Sequence, residues 1–170
     1  SPTVHLYSQA GGKLRFDDKL SALVPDSLLP TLVPVGAANG EYTLAGALAQ
    51  GAAAGEQACV NDASSPQGAL LYHAPHAEPE TNFALEPLWQ ISKVASTGKR
   101  FVDIQDDVTV EDIELAHREN FRSVEHLKRY TTLGMGTDQG KTSNVNGLAL
   151  MAALKEQPIA AVGTTTFRPP

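Results

Sequence analysis

Residues 109–158, TVEDIELAHRENFRSVEHLKRYTTLGMGTDQGKTSNVNGLALMAALKEQP, decide how the second half of this chain folds. Thr109 predicts a helix N-cap, with Glu111 and Asp112 in the first turn against the helix dipole, and the helix runs to about Asn120. Ser123 caps a second helix, Val124 to about Tyr130. A third runs from about Val145 to Glu156, with Val145, Leu148, Met151 and Leu154 on one stripe and Pro158 as its stop. Between the second and third helices, the stretch from Lys128 to Gly147 is rich in glycine, threonine and lysine. Glycines free the backbone to turn its N–H groups inward, and hydroxyls add donors. Lys128, Arg129 and Lys141 supply charge beside a helix start at Ser143 or Asn144, so the loop has the parts of an anion cradle. It is not a Walker loop. Met135 stands where the first glycine of that motif belongs, although Gly140-Lys141-Thr142 matches its tail. The same spacing also suits a plain connector whose polar side chains satisfy their own backbone.

Working outward, residues 3–24 alternate and break at Gly11-Gly12, with Val4, Leu6, Leu14 and Phe16 two apart, which predicts a hairpin. A short buried strand is expected over Thr31 to Val35, then a turn through Gly36 to Gly40, then a small-residue helix from about Thr43 to Ala58. Strand, glycine turn and helix make the grammar of a phosphate- or cofactor-binding end. From 60 to 87 the chain loses periodicity, and Pro66, Pro75, Pro79 and Pro87 mark a linker or wrapping arm. Phe101 to Ile104 reads as a short extended start to the next unit, and the final segment, IAAVGTTTFRPP, as extended. The fold class is α+β, divided as 1–60, a Pro-rich arm over 61–92, a small helical domain over 93–158, and an extended linker over 159–170.

The 170 residues are 42% apolar, enough for a core, and carry a net charge of −6. That balance argues against a general nucleic-acid or anionic-membrane binder. One cysteine, Cys59, excludes an internal disulfide and any all-cysteine metal site, and in AAAGEQAC it reads as a small buried or helix-end residue. There is no apolar run of membrane length, and the sequence contains no signal-peptide pattern, so a reducing cytoplasm is the expected compartment. His73, His76 and Glu78 lack a second ligand pair, and His117 and His126 sit on separate helices. The acids Asp103, Asp106, Asp107, Glu111, Asp112 and Glu114 miss the EF-hand register. No G-x-S-x-G elbow supports hydrolysis. The two short helices joined at NFRS outline a helix-turn-helix, which the net charge disfavours as a DNA reader.

The run VDIQDDVTVEDIELAHRENFRSVEHLKRYTTLGMGTDQGKTSNVNGLAL, followed by VGTTTFRPP, closely resembles the alpha subunit of heterotetrameric sarcosine oxidase. TVHLYSQAGGKLRFD and VPVGAANGEYTLAGALAQG resemble the tail of that subunit's dinucleotide-binding domain. The resemblance implies an interior piece, with a G-x-G-x-x-G strand upstream and a folate-binding domain downstream. It implies oxidative demethylation of sarcosine to glycine by a complex using NAD, FMN and FAD, with FAD and tetrahydrofolate bound elsewhere and this piece inactive alone. The partners it implies are the beta, gamma and delta subunits and the rest of the alpha subunit, with neither nucleic acid nor membrane.

Carried onto this sequence, the resemblance makes Ala37, Ala38, Tyr42 and Leu44 the candidate NAD contacts. Lys128, Arg129, Thr132, Gln139, Lys141 and Thr142 become the candidate contacts to an interface FMN. No catalytic and no metal-ligating residue is carried over. The helical part also resembles the small [2Fe–2S] domain of bacterioferritin-associated ferredoxin-like proteins. Asp103, Gln105, Thr137 and Gly140 stand at the positions of its four cysteines, so the cluster itself is not expected. The alternative from the same resemblance is a docking module of a related amine or hydroxyproline dehydrogenase that touches no cofactor.

Overall fold

In a computed structural model, the structure describes residues 2–61, 75–81, 85–92, 94 and 97–163. The chain begins with a short helix, α1 (His5–Gln9), followed by the strands β1 (Leu14–Asp17) and β2 (Ala22–Pro25). The hairpin is thus offset from its expected place. β1 and β2 pair antiparallel from Leu14 opposite Pro25 to Asp17 opposite Ala22, and Gly11-Gly12 joins α1 to β1 instead of turning the hairpin. The turn at 18–21 is set by Asp17, whose carboxylate accepts from the N–H groups of Lys19 at 3.1 Å and Leu20 at 3.2 Å. α1 is fastened by Tyr7, whose buried hydroxyl accepts from the Ser27 N–H at 2.9 Å.

Residues 31–35 form no strand; the only pairing there is an isolated bridge between Leu29 and Leu32. Pro30 and Pro34 bracket the segment and remove two ladder donors. The expected glycine turn is a single 3-10 turn, Gly36–Asn39, closed by Gly40 at φ +81, and the helix α2 (Leu44–Asn61) follows.

The second part begins with β3 (Phe101–Asp103) paired antiparallel to β4 (Val108–Thr109), with a bulge between Phe101 and Asp103. Helix α3 (Val110–Arg118) starts on a capping box. The Thr109 hydroxyl accepts from the Asp112 N–H at 3.3 Å while the Asp112 carboxylate accepts from the Thr109 N–H at 2.8 Å. Ser123 caps α4 (Val124–Thr131) by accepting from the His126 N–H at 3.2 Å. Helix α5 (Asn144–Leu154) then passes through the centre, and α6 (Ile159–Val162) lies beside it. The stripe expected of α5 is too narrow. Ala149, Leu150 and Ala152 are buried as well as Val145, Leu148 and Met151, because α3 and α6 both pack on α5 within the shared core. Residues 159–162 are helical, not extended, and 164–170 lie outside the described residues.

One apolar core joins the two parts. Val4 and Leu23 belong to the same buried cluster as Val108, Ile113, Leu127, Leu133, Leu148 and Met151. Between them the arm is pinned by Arg100, whose side chain is only 6% exposed. Its guanidinium donates to Glu111 Oε1 at 2.6 and 2.8 Å, to Glu114 Oε1 at 3.4 Å, and to Gln90 Oε1 and the Ile91 carbonyl at 3.4 Å each. The Glu111 pairing raises the Arg100 pKa above its ordinary value, so this charge is permanent at any physiological pH.

Candidate functional site

Two helix starts carry seven of the ten candidate residues, and the other three, Lys128, Arg129 and Thr132, lie at the end of α4. At the first, Ala37 and Ala38 lie in the 3-10 turn, and Tyr42 and Leu44 at the entry to α2 are half exposed. The turn is locked from both ends, because the Gly36 N–H donates to Gln50 Oε1 at 2.9 Å and the Glu41 N–H to the Gly36 carbonyl at 3.0 Å. Thr43 Oγ1 caps α2 by accepting from the Gly46 N–H at 3.1 Å. Glu41 in turn accepts from the Thr43 hydroxyl at 2.6 Å and its N–H at 2.8 Å, and these bonds hold its carboxyl below the usual range. The next N–H, that of Leu44, donates to the carboxylate of Glu80 at 2.7 Å.

The second start is the loop leading into α5. Its frame is Asp103, a carboxylate 3% exposed that accepts from the Gly134 N–H at 2.7 Å, the Ser143 hydroxyl at 3.0 Å and the Gln105 N–H at 3.0 Å. Gln105 Oε1 accepts from the Thr137 hydroxyl at 2.8 Å and from the Asp138 N–H at 3.4 Å. The four positions matched to cysteines are therefore drawn to one place: Gln105 bonds Thr137, Asp103 bonds Gly134, and Gly134 abuts Gly140. Within the loop, the carboxylate of Asp138 fills the would-be cradle. It accepts from the Gly140 N–H at 2.9 Å, the Thr142 N–H at 3.1 Å and the Thr142 hydroxyl at 2.6 Å.

Of the six candidate flavin residues, Gln139, Lys141 and Thr142 belong to this loop, and Gln139 Nε2 donates to the Gly136 carbonyl at 2.9 Å. Lys128 and Arg129 lie in the last turn of α4, and Thr132 is its C-cap. Thr132 and Gln139 both hold left-handed backbone, at φ +63 and +52. Asn144, 3% exposed at the start of α5, has neither amide atom hydrogen-bonded among the described residues. Two clefts, of about 210 and 380 Å3, are lined by none of the ten. Among the described residues no group of three or more His, Cys, Asp or Glu is placed to hold a metal, and no helix is long and apolar enough to cross a membrane. His73 lies outside the described residues and His76 is exposed.

Sequence reasoning did not single out Asp138 or Glu80. The first had a local sign, the spacing Asp138-x-Gly140-x-Thr142, in which a carboxylate bonds N–H groups two and four residues on. Glu80 had none, being 36 residues from its partner.

The Thr142 hydroxyl, the Gly140 and Thr142 N–H groups and the Lys141 charge together hold the Asp138 carboxyl below its ordinary 3.8. A depressed folded pKa gives stability that is present above the unfolded value and lost as pH falls through the folded one. The loop should therefore keep its form at pH 5 and above and loosen only as the pH drops below about 4. NMR titration of the Thr142 amide checks this, and Asp138→Asn should abolish that acid step; an unchanged step in the variant would assign it to another group.

Among the described residues, the candidate positions gather at a 3-10 turn and helix start, at the end of α4 and in the loop before α5. Residues 97–170 match the family described as the sarcosine oxidase A3 domain. Along its whole length the chain is similar to sarcosine oxidase subunit alpha, 38% identical to that of Corynebacterium sp. (strain P-1) over 100% of this chain and 18% of the relative. It is 41% identical to that of Rhizobium meliloti (strain 1021), over 99% of this chain and 17% of the relative. Residues 97–170 thus carry the sarcosine oxidase A3 domain, and the chain spans under a fifth of the length of the curated relatives it matches.

Proposed function

We propose that this chain serves as part of the alpha subunit of a multi-subunit sarcosine oxidase that demethylates sarcosine oxidatively to glycine, and that it contributes to cofactor binding without being catalytically competent alone. What carries the reading is similarity to sarcosine oxidase subunit alpha along essentially the whole chain, at 38% and 41% identity. In this reading residues 1–60 are the closing part of a dinucleotide-binding domain, and Ala37, Ala38, Tyr42 and Leu44 contact NAD. Small residues and a helix start suit the close approach of a dinucleotide. The helical part is a cysteine-free relative of the small [2Fe–2S] domain; with a carboxylate, an amide and a hydroxyl at three of the four cysteine positions and no side chain at the fourth, Gly140, it does not fit an iron–sulfur cluster.

The loop before α5 then faces FMN at an interface with a partner subunit. Lys128, Arg129 and Lys141 act as charges, and Thr132, Gln139 and Thr142 form the polar edge, all three after exchanging internal partners. Two observations suit a ligand here: the orphaned amide of Asn144 beneath the glycines, and the left-handed backbone of Thr132 and Gln139. The bound flavin would supply the redox chemistry, while these residues position it. FAD and tetrahydrofolate lie elsewhere in the complex, the remaining partners are the beta, gamma and delta subunits, and the compartment is the cytoplasm.

A second reading, docking of a partner subunit with no cofactor contact, is favoured by the internal use of the Thr142 hydroxyl and by the exposure of Ile104 at 84% and Met135 at 47%, each one residue from the contact of Gln105 with Gly136. Replacing Lys128 and Lys141 together with alanine separates the two. FMN affinity of the native assembly, read as flavin released per complex, should fall about tenfold or more, as expected on losing charge-assisted contacts. Unchanged flavin with weakened subunit association would leave the docking reading standing.

A further inference from the structure

The first turn of α2 is already occupied by an anion belonging to the chain. Helix starts expose N–H groups and attract negative charge. Thr43 is the ordinary cap here, accepting from the Gly46 N–H, and Glu41 takes the Thr43 N–H. Glu80 is additional. It reaches the Leu44 N–H at 2.7 Å from 36 residues away, and both residues are exposed. The segment that carries it is otherwise uncovered, since 75–81 is exposed except at the half-buried Ala77. Further along the same arm, Gln90 and Ile91 are fixed to Arg100, so the arm stays attached if Glu80 lets go.

We infer that Glu80 is a tethered anion standing where a ligand's phosphate would bind, so that segment 75–81 is a strap competing with a dinucleotide for the start of α2. This rests on the reading of Ala37, Ala38, Tyr42 and Leu44 as dinucleotide contacts. Binding displaces the Glu80 carboxylate from the Leu44 N–H, relieves its repulsion of the incoming phosphate, and frees 75–81 from α2. Occupancy of the nucleotide end is thereby passed to the arm.

The test is calorimetric titration of NAD into the native polypeptide carrying this sequence, in wild type, Glu80→Ala and Glu80→Gln. The glutamine retains an oxygen acceptor without the charge and guards against a folding defect in the alanine variant. Glu80→Ala should bind NAD about fivefold tighter and Glu80→Gln about twofold tighter, on the scale of a helix-start charge. Hydrogen–deuterium exchange over 75–81 should rise when the wild type binds NAD. Equal or weaker binding by both variants, with exchange over 75–81 unchanged, would overturn the strap while leaving the dinucleotide reading intact. Absence of NAD binding in all three proteins would instead remove the dinucleotide reading, and the strap with it.

Discussion

Gly140→Ala should destabilise the chain by about 2 to 4 kcal/mol, the sum of an overpacking term and the cost of a left-handed alanine. Gly140 sits at φ +78, and a Cβ there would lie 2.3 Å from the amide atoms of Asn144. That amide is buried with nowhere to retreat, because it also closes on Gly134. Urea denaturation reads the loss. Asn144→Ala provides the internal control, since it removes both the obstructing side chain and an orphaned polar group, and by itself should be close to neutral. In the double variant the clash should vanish, leaving roughly 1 to 2 kcal/mol of backbone cost. A Gly140→Ala protein as stable as wild type, or one that Asn144→Ala fails to relieve, would show that the loop does not close over Asn144 in this way.

Met151→Ala should cost about 2 to 5 kcal/mol. Met151 is fully buried on α5, in the cluster shared by α3, α4 and the hairpin. The same truncation at Leu115, 36% exposed on α3, should stay within about 1 kcal/mol. Two-state denaturation of the pair checks the contrast, and equal losses would mean that α5 is not the centre of the core.

What could be read from the residues was what is local. Thr109 and Ser123 announce their helices because a cap and its N–H partner lie three residues apart, and the Gly36 to Gly40 turn announces itself by composition. The alternation of Val4 and Leu6 misled, since two apolar residues fit a strand or one turn of helix, and Tyr7 settled it through a bond to Ser27 some 20 residues on. The stripe on α5 assumed a solvated back, which α3 and α6 packing on it together remove. At the candidate sites the residue types were legible, but not their present partners. Lys141 and Thr142 invite a phosphate on paper, yet the Asp138 carboxylate between them has the N–H groups; Leu44 opens a helix toward solvent, yet Glu80 has arrived first.

The burial of Leu23 against α5 also sets an order of events. Leu23 and Leu148 line the same cleft and lie in the same core, although more than a hundred residues of chain separate them. Whenever the chain is made, the hairpin precedes α5, so Ala22, Leu23 and Val24 reach their full burial only once the later residues of the same core have followed. Such distant closure slows folding, because chain entropy must be surrendered before the contact stabilises anything. A truncation before Asn144 should therefore leave Leu23 without Leu148 and the other α5 members of its core.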